Sequence, residues 1–264
     1  MDKSHKAVIW GGAWAVFVAC LALLHVADFG FGIGVAAVAV NSFANTVAAW
    51  VAFVTLLAAT RGERGESRKP WVQIAAAYGI LAAVQTVLFY FVNIDPTAPG
   101  LLWVCNLIIF GAYIFLGVGI ASKAGRLRGG RGTARAAVLA FFGLTFVLVV
   151  IGIFITSVVP QPVRMPLIAK AFMLLYLSLD IAVLIFAVSV ALTYAGGTGG
   201  RPWVALAVGL FFAGLSNVAD IYGGFHGFPD AISSSSIALV LTFASFGAVS
   251  WAAVRQREIL RVRV

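Results

Sequence analysis

The sequence predicts an all-α, polytopic integral membrane protein of eight transmembrane helices, built as a parallel tandem duplication of four helices plus four. Three observations predict it. The chain is 62% hydrophobic and 10% charged, with a mean hydropathy of +1.04. Soluble domains carry roughly 25% charged residues, so this much apolar surface needs lipid as its solvent. The basic residues fall between the apolar runs, where they set topology. Finally, Pro70-Trp71-Val72 recurs as Pro202-Trp203-Val204, 132 positions later. At that offset Ala75 falls on Ala207, Gln85 on Asn217 and Tyr90 on Tyr222.

The elements follow in order. Lys3 and Lys6 precede an apolar run from Ala7 to Val26, close to the ~20 residues a spanning helix needs. The run is long for a signal-peptide core and no small-residue cleavage site follows it, so it reads as a retained first helix. A glycine-rich turn, Asp28 to Gly34, leads to a second helix from Val35 to Ala59. The charged loop Arg61 to Lys69 ends at Pro70, which suits the first turn of a third helix running to Val92. Pro96 and Pro99 mark a turn before a fourth helix, Leu101 to Ser122.

Residues 123–135 hold five basic residues and four glycines and read as a flexible basic cytoplasmic linker. It separates a first repeat, residues 1–122, from a second, residues 136–264. A fifth helix runs from Ala136 to Val159, and Pro160, Pro162 and Pro166 bracket the next turn. The sixth runs from Pro166 to Tyr194, long enough to span with tilt. A short glycine turn separates it from the seventh, Pro202 to Gly224. A turn containing His226, Pro229, Asp230 and the serines at 233–236 precedes the eighth, Ile237 to Val254, and a basic tail follows.

Of the 18 Lys and Arg, all but Arg164 and Lys170 lie on one side of this path. The positive-inside rule then puts both termini in the cytoplasm of a cell (plasma or inner) membrane, in agreement with an even helix count. The same placement answers the net charge of +9: the basic residues are topological, and nucleic acid is not the expected partner. The expected partners are the bilayer, a small molecule or ion, and a partner membrane or signalling protein.

Ionisable groups inside the hydrocarbon cost at least about 2.5–3.5 kcal/mol on insertion scales, so they face a bundle interior, a cavity or a partner. Asp180 lies near the middle of the sixth helix, with Tyr176 one turn earlier on the same face. It reads either as a ligand- or proton-binding carboxylate or as a structural inter-helix contact. Asp220 lies about one turn inside the outer end of the seventh helix, and Asn217 shares its face. Lys170, at similar depth on the sixth helix, either pairs with Asp220 or snorkels to the surface, snorkelling being preferred. The candidate ligand-binding set is Asp180, Asp220, Asn217, Tyr176, Lys170 and Tyr222. In the first copy Val38, Ala48 and Leu88 stand where Lys170, Asp180 and Asp220 stand in the second. The polar site is therefore expected in the second repeat, with Gln85 and Asn217 as neutral inter-helix contacts in either copy.

Other chemistry is thin. His25 and His226 both lie near outer helix ends, a pair that in principle could ligate a haem, but isolated histidines there read as interface residues. Lys170 is too near a membrane edge to favour a retinal Schiff base. No HExxH, CxxC or GxxxxGK[ST] occurs, and Cys20 and Cys105 define no disulfide framework. No cofactor, metal or catalytic set is specified, and an enzyme is the least favoured class. All eight prolines lie at helix ends or turns, which weighs against the broken helices common in ion-coupled transporters.

The constellation of Asp180, an apolar helix, Arg201-Pro202-Trp203 and then Ala219-Asp220 resembles the polytopic membrane sensor modules at the N-termini of bacterial histidine kinases and diguanylate cyclases. The resemblance covers the last 90 or so residues. It implies a membrane sensor. No kinase or cyclase domain follows Val264, so the signal would pass to a separate partner. Two function classes follow: a multi-pass protein handling a small ligand or ion, as sensor or transporter, and a non-catalytic subunit or assembly partner of a larger membrane complex.

Overall fold

The computed structural model describes residues 10, 12–14, 16–17, 34–63, 65–93, 99–129, 131–158, 167–194, 198–226 and 231–262. The regular structure among them is helical throughout. Helix α1 comprises the described residues between 10 and 17. It is followed by α2 (Gly34–Thr60), α3 (Arg68–Asn93), α4 (Pro99–Gly129), α5 (Arg131–Val158), α6 (Leu167–Thr193), α7 (Arg201–His226) and α8 (Ala231–Val262). Two short 3-10 turns, Gly65–Ser67 and Thr198–Gly200, lead into α3 and α7. Helices α2 to α8 each carry a stretch long and apolar enough to cross a membrane, so the chain is a multi-pass membrane protein. Most of the predicted first span, His25 and Asp230 lie outside the described residues.

Helices α2 and α6 match their expected bounds to within a residue at each end. The sequence reading misplaces two other segments. The basic stretch 123–135 is helical on both sides of residue 130, not a flexible linker. Lys and Arg are good helix formers, and cations near the C-terminus of α4 favour its dipole. Glycine serves close approach there: a Cβ on Gly125 would lie 2.4 Å from the Thr133 carbonyl oxygen. The other misplaced segment is α8, which takes in the serines at 233–236, expected in a turn, and runs past the expected end at Val254. Its extension is held by an Arg255–Glu258 ion pair of 3.1 Å and a hydrogen bond from the Gln256 amide to Glu63.

Helix α2 packs against α3 and α8, α4 against α3, α5 and α6, and α7 against α6 and α8. Small residues let backbones approach where no hydrophobic force separates helix from lipid. The buried stripe of α2 is Ala44, Ala48, Ala52, Leu56 and Ala59 at three- and four-residue spacing. Gly117 of α4 receives the Phe141 ring of α5, and a Cβ there would lie 2.1 Å from it. Trp14 of α1 packs at a tilt against Phe243 of α8, ring centroids 4.7 Å apart. Helix α5 is peripheral: Leu139 and Phe146 are 72% and 69% exposed, a surface that lipid covers.

One end of the bundle gathers Arg61, Arg68, Lys123, Arg201 and Arg255. There Gly62 meets Leu260, the Lys123 ammonium lies 5.5 Å from the Tyr194 ring, and Trp71 packs on Trp203 at 5.1 Å. Pro70 and Pro202 occupy first-turn positions that need no N–H donor. They set the following tryptophans at equal depth. This is called the basic end; the opposite one is the far end.

Candidate functional site

Asp180 is the middle residue of α6, roughly 20 Å from either end at 1.5 Å per residue. Its neighbours Leu179, Ala182 and Val183 are apolar and buried, and Asp180 itself is only 3% exposed. A carboxyl in that position needs partners from other helices, and it has two. The Tyr113 hydroxyl, from α4, donates to Oδ1 at 2.6 Å. The Asn217 amide, from α7, donates to Oδ2 at 2.5 Å and also lies 3.2 Å from the Tyr113 oxygen. Three helices therefore meet at one carboxylate, each of whose oxygens accepts a hydrogen bond.

The triad opens into a cavity of about 350 Å³ between α3, α4, α6, α7 and α8. The cavity runs from mid-depth toward the far end. Tyr78, Tyr113, Tyr176 and Phe246 supply aromatic walls, and Gln85, Asn106, Ser216, Asn217, Thr242 and Ser245 supply neutral polar groups. Among the described lining residues the charged ones are Asp180 and Asp220. Asp220 stands exposed at the mouth, about one turn of α7 beyond Ser216 and two beyond Ala213. Several walls are fixed by their own bonds. The Tyr176 hydroxyl donates to the Asn106 carbonyl at 2.5 Å, and its ring lies 5.9 Å from that of Tyr113. Ser216 donates to the Ala238 carbonyl at 2.8 Å and lies 2.7 Å from the Thr242 hydroxyl.

Of the six residues singled out in the sequence, Asp180, Asn217, Tyr176 and Asp220 line this one cavity. Lys170 and Tyr222 belong to α6 and α7, but their side chains lie outside the described residues, as does a Lys170–Asp220 contact. The cavity also draws on the first half of the chain. Tyr113 donates to Asp180 from that half, Gln85 and Asn106 line the walls, and Leu88, 132 positions before Asp220, does too. Ala48, 132 positions before Asp180, is instead fully buried in α2. Sequence reasoning missed Tyr113 and Asn106. A tyrosine with its hydroxyl in a hydrocarbon-spanning run was the available signal, because a phenol buried there needs an acceptor.

Comparison with family models, with curated proteins and with solved structures returns no match, so what the cavity binds has to be reasoned from its own chemistry.

Proposed function

We propose that this chain is a ligand-handling membrane protein, a sensor or a transporter, that takes a small cation into the cavity and holds it against Asp180. The observation that carries this reading is the pairing of a buried, doubly hydrogen-bonded carboxylate with an aromatic-walled cavity beside it. A carboxylate in low dielectric attracts a cation far more strongly than one in water does. Tyrosine and phenylalanine faces add cation–π attraction. Asp220 at the mouth has the sign that draws a cation in. A compact organic ammonium, or a lone monovalent ion keeping part of its water, fits 350 Å³.

The same proposal places the protein in a cell membrane with both termini in the cytoplasm, which puts the basic end inside and the cavity mouth outside. It also keeps the duplication. What supports that is the helix pairing: α2 packs on α8 as α6 packs on α4, and α3 on α4 as α7 on α8. A shift of four helices exchanges each pair for the other. The meeting of Trp71 with Trp203, equivalent residues on this reading, also supports an axis between the halves.

The test is thermal unfolding of detergent-purified protein against matched probes, alkyl- and arylammonium ions on one side and isosteric carboxylates on the other. The expected result is stabilisation by ammonium ions, lost in Asp180→Asn. At a hundredfold excess over Kd the shift corresponds to about 2.7 kcal/mol. Stabilisation by the carboxylates, or by neither series, overturns the reading.

A further inference from the structure

A second concavity lies away from the cavity just described, on the membrane-facing surface where α6, α7 and α8 meet at the basic end. It has a volume of about 830 Å³. Its walls are apolar: Leu184, Val188 and Leu192 from α6, and Val204, Val208 and Phe211 from α7. At its upper edge stand two guanidinium groups, Arg201 on the first residue of α7 and Arg255 on α8.

The dimensions matter. From Arg201 to Phe211 the groove descends ten residues of α7, about 15 Å at 1.5 Å per residue. That is half of a hydrocarbon core of roughly 30 Å, or one leaflet. The arginines therefore stand at headgroup level and the apolar walls at acyl-chain level. Arg255 is held in place from two sides, its guanidinium 5.5 Å from the Trp251 ring and 3.1 Å from Glu258. A guanidinium has five N–H donors in a planar fork, so one carboxylate contact leaves donors available. Arg201 is exposed at the same rim. Two cations above a chain-length apolar trough are complementary to one molecule type in a bilayer, an anionic phospholipid with its phosphate at the arginines.

We infer that this groove is a binding site for an anionic phospholipid, with one acyl chain laid between α6 and α7 and the headgroup phosphate bridging Arg201 and Arg255. The site is independent of the cation cavity. It is built on other faces of α7 and α8 and on a part of α6 nearer the basic end, and it would stand if the cavity bound nothing. A lipid seated there would tie the α6–α7 pair, which carries Asp180 and Asn217, to the end of α8.

The experiment is lipid retention of the full chain. Protein is exchanged into nanodiscs of phosphatidylcholine containing a minor fraction of phosphatidylglycerol, extracted in mild detergent, and its bound lipid identified by native mass spectrometry. Wild type should retain phosphatidylglycerol in preference to phosphatidylcholine at one-to-one stoichiometry. Arg201→Gln with Arg255→Gln should lower that retention roughly thirtyfold, on the scale of two basic side chains near a headgroup. Val208→Trp, which fills the trough and leaves both arginines in place, should lower it comparably. Arg68→Gln, at the same end but outside the groove, should leave it unchanged. Equal retention of phosphatidylcholine, full retention in both the double variant and Val208→Trp, or an equal loss in Arg68→Gln would each overturn the site, the last by showing general attraction to the basic end.

Discussion

The Tyr113 hydroxyl and the Asp180 carboxylate meet at 2.6 Å across 67 residues of sequence, from helices in different halves of the chain. That bond joins α4 to α6 at the depth where water is scarcest. Removing the donor leaves a carboxylate oxygen unsatisfied, whereas removing the acid leaves two donors that can pair with an amide. Tyr113→Phe should therefore lower stability in mild detergent by about 1 kcal/mol, the usual scale of a membrane polar contact. Asp180→Asn should change stability less than Tyr113→Phe and abolish cation binding. Asp180→Leu should be the least stable of the three. Chemical or thermal unfolding followed by helicity checks the order; a Tyr113→Phe protein as stable as wild type would show the bond to be dispensable.

The two acids of the cavity should differ in their response to salt. Asp220 is exposed and acts through a screened field, while Asp180 is buried. Asp220→Asn is expected to weaken capture of an ammonium ion a few-fold at low ionic strength, and the loss should fade near 1 M salt, where the Debye length falls to about 3 Å. The loss in Asp180→Asn should persist. Binding isotherms at two salt concentrations separate these outcomes.

Gly117 and Phe141 make a steric pair between α4 and α5. Gly117→Val should push the Phe141 ring out of its seat and cost about 1–3 kcal/mol, the range for overpacking. Phe141→Ala combined with Gly117→Val should recover part of it. A double variant no better than Gly117→Val would mean that the contact does not fix α5.

Topology is open to reporter fusions. One at Val264 and one at residues 95–99 should report opposite sides of the membrane, with Val264 cytoplasmic. A common side would exclude the eight-span path.

Much of this arrangement was legible in the chain. Apolar length and flanking glycine or proline located α2 and α6 closely, and the expense of a carboxyl in hydrocarbon pointed to Asp180. Asn217 was legible as a residue on the face of Asp220, yet its partner proved to be Asp180. The register of one helix against another leaves no periodic trace in either, so the convergence of Tyr113, Asp180 and Asn217 could not be read. Tyr113 itself merges into an apolar run, where an aromatic ring carries no sign of where its hydroxyl goes. Residues 123–135 misled for another reason: their glycines look like slack in a composition, whereas Gly125 is an address for the backbone of Thr133.

The Trp71–Trp203 pair has a bearing on the proposed duplication. On the duplication reading, the two tryptophans sit where an ancestral four-helix unit would have touched its own copy across a twofold axis. Every residue of such a homodimer exists twice. An acid at the position of Asp180 would have had a twin at the position now held by Ala48, two carboxylates in one bilayer interior. Joining the copies into one gene product removes that constraint. Each position can then be chosen alone, so Ala48 closes a helix contact while Asp180 keeps a charge, and the insertion penalty of a membrane carboxylate is incurred at one of those two positions instead of both.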